Sequence, residues 1–358
     1  MVELSRLERL RLLLEAENTD ALVVTTPTNI RYLTGFTGSN GFVVVSADGP
    51  TTLVTDRRYE ERAAEELTDS KVNVKIAPGA GFSALGELCA DGLLGLEADH
   101  VSWELAESLR DKLGAERIVA ASGLVEKLRE HKDAGELNSM REAARIADVG
   151  LAAIKSLLGP GATEIELARH FEAVVVAEGA EGTAFDTIVA SGPNGSRPHH
   201  RTGDRQLEVG DLVIIDSGAK VDGYRSDMTR SFVIGSPTPR QSELLDAVAR
   251  AQAEGVAAVA PGVPIAEIDT ACRRVLDDAG LLEFFSHGTG HGVGLDIHEA
   301  PSVNGRATDT LAPGHVITVE PGVYLPGEGG VRWEDTVVVT ETGAEPITLT
   351  SKEPFIDA

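Results

Sequence analysis

Cysteine is nearly absent from this chain of 358 residues, which carries only Cys89 and Cys272. The two stand far apart in segments of helical pattern, so neither a disulfide framework nor a zinc ribbon is expected, and a reducing compartment suits them. Long apolar runs are missing as well, none approaching the roughly 20 residues of a membrane-spanning helix. The amino terminus MVELSRLERLRLLLEAENTD spaces Leu4, Leu7, Leu10 and Leu13 at helical intervals among charges, which marks a surface helix rather than a signal peptide. The expectation is a soluble, unexported, cytoplasmic protein with no membrane partner. Basic charge is the third scarcity. Against 57 Asp and Glu stand 32 Lys and Arg, a formal charge of -25. Nucleic acid and anionic membranes are excluded as partners, because phosphate binding needs clustered Lys and Arg. A solvated surface accounts for the acidity.

What is present is enough apolar sequence, 42% of residues, for two cores. Over residues 1–123 strand patterns (ALVVTT, FVVVS, TTLVTD, KVNVKIA, LGLEA, RIVAA) alternate with helical ones, while PTNIRYLTGFTGSNG reads as turn-rich. This alternation predicts an α/β domain. The charged helical stretch LVEKLREHKDAGELNSMREAARIADVG leads into a second domain, residues 124–358.

The second domain is written twice. GPGATEIELARHFEAVVVAEGA parallels APGVPIAEIDTACRRVLDDAG, with Pro160, Gly161 and Gly179 each 101 residues before Pro261, Gly262 and Gly280. GDLVIIDSGA parallels GHVITVEPGV and sets Asp216 against Glu320. GYRSDMT parallels GVRWEDT and sets Asp227 against Glu334. A repeat of this length predicts two helix-helix-hairpin units related by a pseudo-twofold axis, neither with core enough to stand alone.

Both aspartates adjoin apolar strand sequence, where an unpaired carboxylate is costly. A two-residue turn at Val221 and Asp222 would oppose Asp216 to Asp227, with Cβ atoms about 4.5 to 5.5 Å apart. The same arithmetic opposes Glu320 to Glu334, and a bulge in either hairpin would shift the register by one. Four acids so assembled require a cation, and a divalent metal is favoured over Lys or Arg partners. HGTGHGVGLDIHEAP adds an imidazole, His291 between glycines, with His287 four residues before it and His298 seven after. Carboxylates with one imidazole suit Mn²⁺ or a similar ion better than a thiolate site would. Two ions bridged by carboxylates activate water and polarise a carbonyl, so the implied chemistry is hydrolysis.

In this order and spacing Asp216, Asp227, His291, Glu320 and Glu334, set in GHGVGLDIHE, VEPGVY and GGVRWEDT, resemble the pita-bread metallopeptidases, the methionine aminopeptidase and prolidase superfamily. NIRYLTGFTGSNG and LVTDRRYEERAAEE resemble the amino-terminal domain of its Xaa-Pro peptidase branch. The resemblance implies an α/β N-terminal domain followed by an α+β pita-bread catalytic domain with a pseudo-twofold internal repeat. It implies two divalent ions per subunit, Mn²⁺ favoured with Co²⁺ or Zn²⁺ as alternatives. One would be held mainly by the aspartates and the other by His291 and Glu320, with Asp227 and Glu334 bridging. It further implies that His199 in SRPHHRTGDR contacts the substrate and helps stabilise the reacting carbonyl, that His298 interacts with the scissile carbonyl or the proline side, and that His287 belongs to a proline pocket. Arg332 and Tyr324 would support the site, and Glu320 would act as general base. Short proline-containing peptides are the implied substrates, cleaved as an Xaa-Pro aminopeptidase or dipeptidase, and a homodimer is the implied assembly.

Three features depart from the family pattern. Ser196 and Arg197 precede Pro198 where a small apolar pair is usual, which would bring a charge toward the subsite. His200 follows His199, and His199 is preferred because it lies 17 residues before Asp216. Trp333 stands between Arg332 and Glu334, where strand alternation turns it away from the metals and into packing. Two other readings use the same fold, an inert binding or scaffold protein and a creatinase-like hydrolase of a small guanidino compound. Retention of all five ligand positions argues against both.

Overall fold

The computed structural model describes residues 4–68, 70–78, 81–89 and 91–356. The chain divides into two compact units, Met1–Arg129 and Glu130–Ala358. The first unit includes the short helix Leu124–Arg129, whereas Ala134–Lys155 opens the second behind a capping box formed by Asp133 and Glu136.

All six strands expected in the first unit form, in one mixed sheet ordered Val72–Ile76, Thr51–Thr55, Phe42–Ser46, Ala21–Val24, Leu94–Leu96, Ile118–Ala120. The stretch read as turn-rich is different: it contains the helix Pro27–Thr34. Its limits are explicit in hindsight, with proline in the first turn and Gly35 closing it at a left-handed φ of 85°. Asn29 inside that helix is buried, and its amide donates to Glu97 and Glu126, a tertiary pairing that short-range pattern does not reveal. Both cysteines are buried free thiols.

In the second unit the duplication becomes architecture. Helices Glu164–Ala177 and Ile265–Asp278 are each 14 residues long and begin 101 residues apart, the offset of the sequence repeat. Helix Ala134–Lys155 packs on the first and Pro239–Ala258 on the second. Each half adds a hairpin, Leu212–Ser217 with Met228–Ile234 and Val316–Val319 with Asp335–Val339. In each, a further strand pairs with the leading strand of the hairpin, Ile188–Ser191 in one half and Gly290–Gly292 in the other.

Strand parity decides where the acids point. Val213 and Ile215 join the core of Ile146, Leu151, Phe171 and Val175, whereas Leu212 and Ile214 fall into separate clusters on the other face. A strand buried on both sides reads as a continuous apolar run. Asp216 shares the parity of Leu212 and Ile214, so it is directed away from the Phe171 core.

The expected register of the first hairpin is corrected. The turn is Asp222–Gly223, with φ of 48° and 76°, the pair of positive values that an Asp-Gly hairpin turn accommodates. Asp216 therefore faces Thr229, and Lys220 faces Arg225. Asp227 lies two places nearer the turn, a diagonal neighbour of Asp216. The second hairpin keeps the expected register: Val319 opposite Asp335 and Gly322 opposite Arg332 bracket Glu320 and Glu334 from both sides. Glycine earns its place at His291: a Cβ on Gly290 would clash with the Thr318 carbonyl, and one on Gly292 with that of Ala300.

Phe171 is fully buried, so Phe171→Ala is expected to cost about 3–5 kcal/mol of stability. Leu349→Ala, at a side chain 75% exposed, should stay within about 0.5 kcal/mol. Chemical denaturation followed by circular dichroism distinguishes the two, and equal losses would refute this assignment of the core.

Candidate metal centre

The five residues expected as ligands come together. Asp216 lies in strand Leu212–Ser217, Asp227 just before Met228–Ile234, and His291 at the centre of Gly290–Gly292. Glu320 directly follows Val316–Val319 and Glu334 directly precedes Asp335–Val339. All five line one cavity of about 440 Å³. His291 Nε2 is 3.6 Å from Asp227 Oδ2 and 3.4 Å from Glu320 Oε1. Asp227, His291 and Glu334 each offer a donor atom within 4.8 Å of the others.

Their electrostatics call for positive charge. Burial pushes the Asp227 and Glu334 carboxyls far above their ordinary range, and the neighbouring carboxylates push them further. Burial also raises Asp216 and takes Glu320 up to about 7, although Arg332 pulls both the other way. Arg332 contacts Asp216 at 2.5 Å and approaches Glu320 at 3.9 Å. Asp216 Oδ1 and Glu334 Oε1 are buried with no hydrogen-bond partner among the described residues, a costly state for an acceptor unless something cationic meets it. His291 completes the fit. Its Nδ1 donates to the Gly292 carbonyl at 3.0 Å, which leaves the Nε2 lone pair facing the carboxylates, and burial lowers its pKa and keeps it neutral. Four hard oxygen donors and one neutral imidazole fit divalent cations.

Around this cluster runs a chain of hydrogen bonds whose directions are fixed. Arg332 Nη1 donates to the Tyr324 hydroxyl at 3.0 Å, which donates to His287 Nε2 at 2.8 Å, while His287 Nδ1 donates to the Gly288 carbonyl. Burial holds His287 down at about 4 and Tyr324 up at about 12, the protonation states this chain needs. Arg332 Nε also donates to Thr229 Oγ1, whose hydroxyl donates to Glu334 Oε2 at 2.6 Å.

His199 and His298 are exposed and line the cavity, and the His298 ring stands edge-on to His291 with centroids 4.3 Å apart. His200 is turned away, its Nε2 donating to Glu164 at 2.8 Å. Arg197 is exposed and bonds Asn194. It does not reach the cavity wall, so the expected charge near the subsite is absent there. Trp333 is buried in the apolar cluster with Leu212 and Val323. Sequence reasoning missed Thr229, which only the Asp222–Gly223 turn sets opposite Asp216, and the apolar wall of Phe185, Ile188 and Ile297, contributed by separate segments.

Residues 138–341 match the model of metallopeptidase family M24, and residues 6–131 match the creatinase/prolidase N-terminal domain. The chain belongs to metallopeptidase family M24. It is a metal-dependent hydrolase with a pita-bread catalytic domain. An uncharacterized peptidase of Bacillus subtilis is 39% identical to this M24 member across 98% of the chain and 99% of its own length. The solved Xaa-Pro dipeptidase of Bacillus anthracis matches with a TM-score of 0.94 at 36% identity, covering 98% of this chain and 99% of that one. The X-Pro aminopeptidase of Thermotoga maritima MSB8 matches at 0.86 and 32%, covering 95% and 98%.

Asp227→Ala should sharply reduce divalent metal retained after dialysis, measured by elemental analysis, and abolish activity; wild-type metal content would count against this centre. The metal-free protein has its own signature. Glu320 has a folded pKa of about 7 against an ordinary 4.5, so the folded state keeps a proton that the unfolded chain has released. That stabilisation is complete below about pH 4.5 and is lost as pH rises through about 7. His287 and His291, held below their ordinary values, act in the opposite sense over the same interval, so the Glu320 contribution is read as a difference: chelator-treated Glu320→Gln is expected to lose less melting temperature between about pH 5 and about pH 8 than chelator-treated wild type. Equal changes in the two proteins would contradict it.

Proposed function

We propose that this metallopeptidase is an exopeptidase that hydrolyses the Xaa-Pro bond at the amino terminus of short peptides. The observation that carries the reading is the complete donor set, Asp216, Asp227, His291, Glu320 and Glu334, on the wall of a cavity sized for a small peptide. Its relatives bear the names Xaa-Pro dipeptidase and X-Pro aminopeptidase. The five side chains would hold two divalent ions, Mn²⁺ in preference to Co²⁺ or Zn²⁺. Bound there, the ions supply a water nucleophile at neutral pH and Lewis-acid polarisation of a carbonyl.

The remaining steps belong to the chain. Glu320 accepts the proton of the attacking water and returns it to the departing imide nitrogen. His199 and His298, on the open side of the cavity, donate to the carbonyl oxygen as negative charge develops on it. Arg332 and His287 form a wall against which a proline ring packs, with Ile188, Ile297 and Phe185 as its apolar part, and Tyr324, buried behind the lining, joins the two through its hydroxyl. An Xaa-Pro bond has no N–H, so a site acting on the carbonyl alone loses nothing by its absence. The same reading carries a cytoplasmic homodimer, for which cell fractionation and sedimentation at twice the chain mass are the checks.

The deciding assay compares Ala-Pro, Ala-Pro-Ala and Ala-Ala-Ala, with and without chelator. Release of alanine from the two proline peptides only, lost on chelation and restored by Mn²⁺, is the expected result. Equal turnover of Ala-Ala-Ala would overturn the proline reading. Cleavage of Ala-Pro without Ala-Pro-Ala would assign a dipeptidase.

A further inference from the structure

Two buried carboxylates of the catalytic unit face neither the cavity nor the metal donors. Glu164, at the start of helix Glu164–Ala177, is 0% exposed. Its Oε1 accepts from the Ser191 main-chain N–H at 2.8 Å, the Ser191 hydroxyl at 2.7 Å and the Asn194 amide at 2.9 Å. Its Oε2 accepts from His200 Nε2 at 2.8 Å and from the Gly203 N–H at 3.3 Å. Burial pushes this carboxyl up, but the Asn194 and Ser191 donors outweigh it and hold Glu164 below its ordinary range. Every hydrogen-bond donor to this carboxylate lies on the segment 191–203, within which His199 reaches the cavity. The carboxylate can only accept, so His200 must present Nε2–H to it, which fixes the residue next to His199 in orientation as well as place.

The second half repeats the device. Asp269 lies about one turn further along helix Ile265–Asp278 than Glu164 lies along its own. It is 2% exposed. Its Oδ1 accepts from the Thr289 hydroxyl at 2.8 Å and its Oδ2 from Arg273 Nε at 2.7 Å. Arg273 Nη2 then donates to the His287 carbonyl at 2.6 Å, and the Thr289 carbonyl accepts from the Glu320 N–H at 2.7 Å. The guanidinium of Arg273 covers the Phe285 ring, which stands edge-on to His287. The segment 285–289 is thus fastened from one helix face.

We infer that Glu164 and Asp269 are positioning residues, one in each half, which hold the loops presenting His199 and His287 to the substrate. The inference rests on the proposed reading of those histidines as substrate contacts. A buried carboxylate bonded to several donors is expensive to disturb, because removing it orphans all of them together. Glu164→Gln would turn an amide N–H₂ toward the N–H of either His200 and Gly203 or Ser191 and Asn194, so the loop must shift while the helix and the metal donors stay in place.

Double-mutant cycles test this. Glu164→Gln should lower kcat/KM by about 10–100-fold, the range for residues that orient a working group from behind, with metal content at the wild-type level. On a His199→Ala background the same change should cost no more than about twofold, because the histidine it positions is already gone. Asp269→Ala paired with His287→Ala should behave alike. Losses that multiply in both cycles would overturn the inference and leave the two acids as fold stabilisers only. If either variant fails to fold, Asn194→Ala and Arg273→Ala remove one spoke of each hub and are read by the same cycles. If the wild type cleaves amino-terminal bonds other than Xaa-Pro, the substrate reading fails while the cycles, run on the cleaved peptide, still decide the positioning roles; where turnover is absent they are read on peptide affinity by calorimetry.

Discussion

Four carboxylates within one buried cavity repel one another, and the catalytic unit is organised around that repulsion. Each alone would cost several kcal/mol to desolvate as an anion. Together, burial and mutual repulsion drive Asp227 and Glu334 strongly toward their neutral forms. Arg332 relieves Asp216 and part of Glu320, but it leaves Asp216 Oδ1 and Glu334 Oε1 without partners. Divalent cations resolve this. The state of His291 points the same way, since its Nδ1–H is committed to a main-chain carbonyl and its Nε2 lone pair is aimed at the acids.

Duplication is how one chain brings such a cluster together. Each half offers a hairpin buried on both faces, and acids near the hairpin strand ends are carried there by apolar runs that have no other stable location. The halves are then tied by hydrogen bonds that cross between them: Ser231 exchanges bonds with the main chain of Arg332, and the Glu334 N–H donates to the Thr229 carbonyl. Arg230, 1% exposed, bonds the Glu334 carbonyl and the Asp335 carboxylate, while Lys352 and Gln252 close the same buried network. The four clustered acids and His291 sit on or beside strands, which hold position well. His199 and His287, which line the same cavity, sit on connecting segments, and there buried acids on the helices bond the chain that a strand would otherwise have held.

Much of this was legible in the residues. The internal repeat and the six strands of the first unit followed from apolar pattern, and the gathering of Asp216, Asp227, His291, Glu320 and Glu334 on one cavity from carboxylates recurring at matched positions. The opposition of Glu320 to Glu334 followed from counting outward from a turn. Helix Pro27–Thr34 was not read, because its limits resemble turn chemistry and its interior is stabilised by Asn29 reaching residues far along the chain.

Sequence by itself determined which side chains would be used: acids after apolar strands, a histidine between glycines, and a second copy of the arrangement about a hundred residues on. These are local facts, set by strand parity and by the need to compensate buried charge. The tertiary structure alone decided how they meet. The first hairpin turns at Asp222–Gly223 rather than one residue earlier, so Asp216 faces Thr229 and meets Asp227 on the diagonal. Of two adjacent histidines, His199 reaches the cavity because Glu164, 36 residues from His200 in sequence, claims its neighbour. The Asp-Gly pair is itself a local turn signal, whereas the pairing of His200 with Glu164 depends on contact between distant segments, which no local pattern of residues encodes.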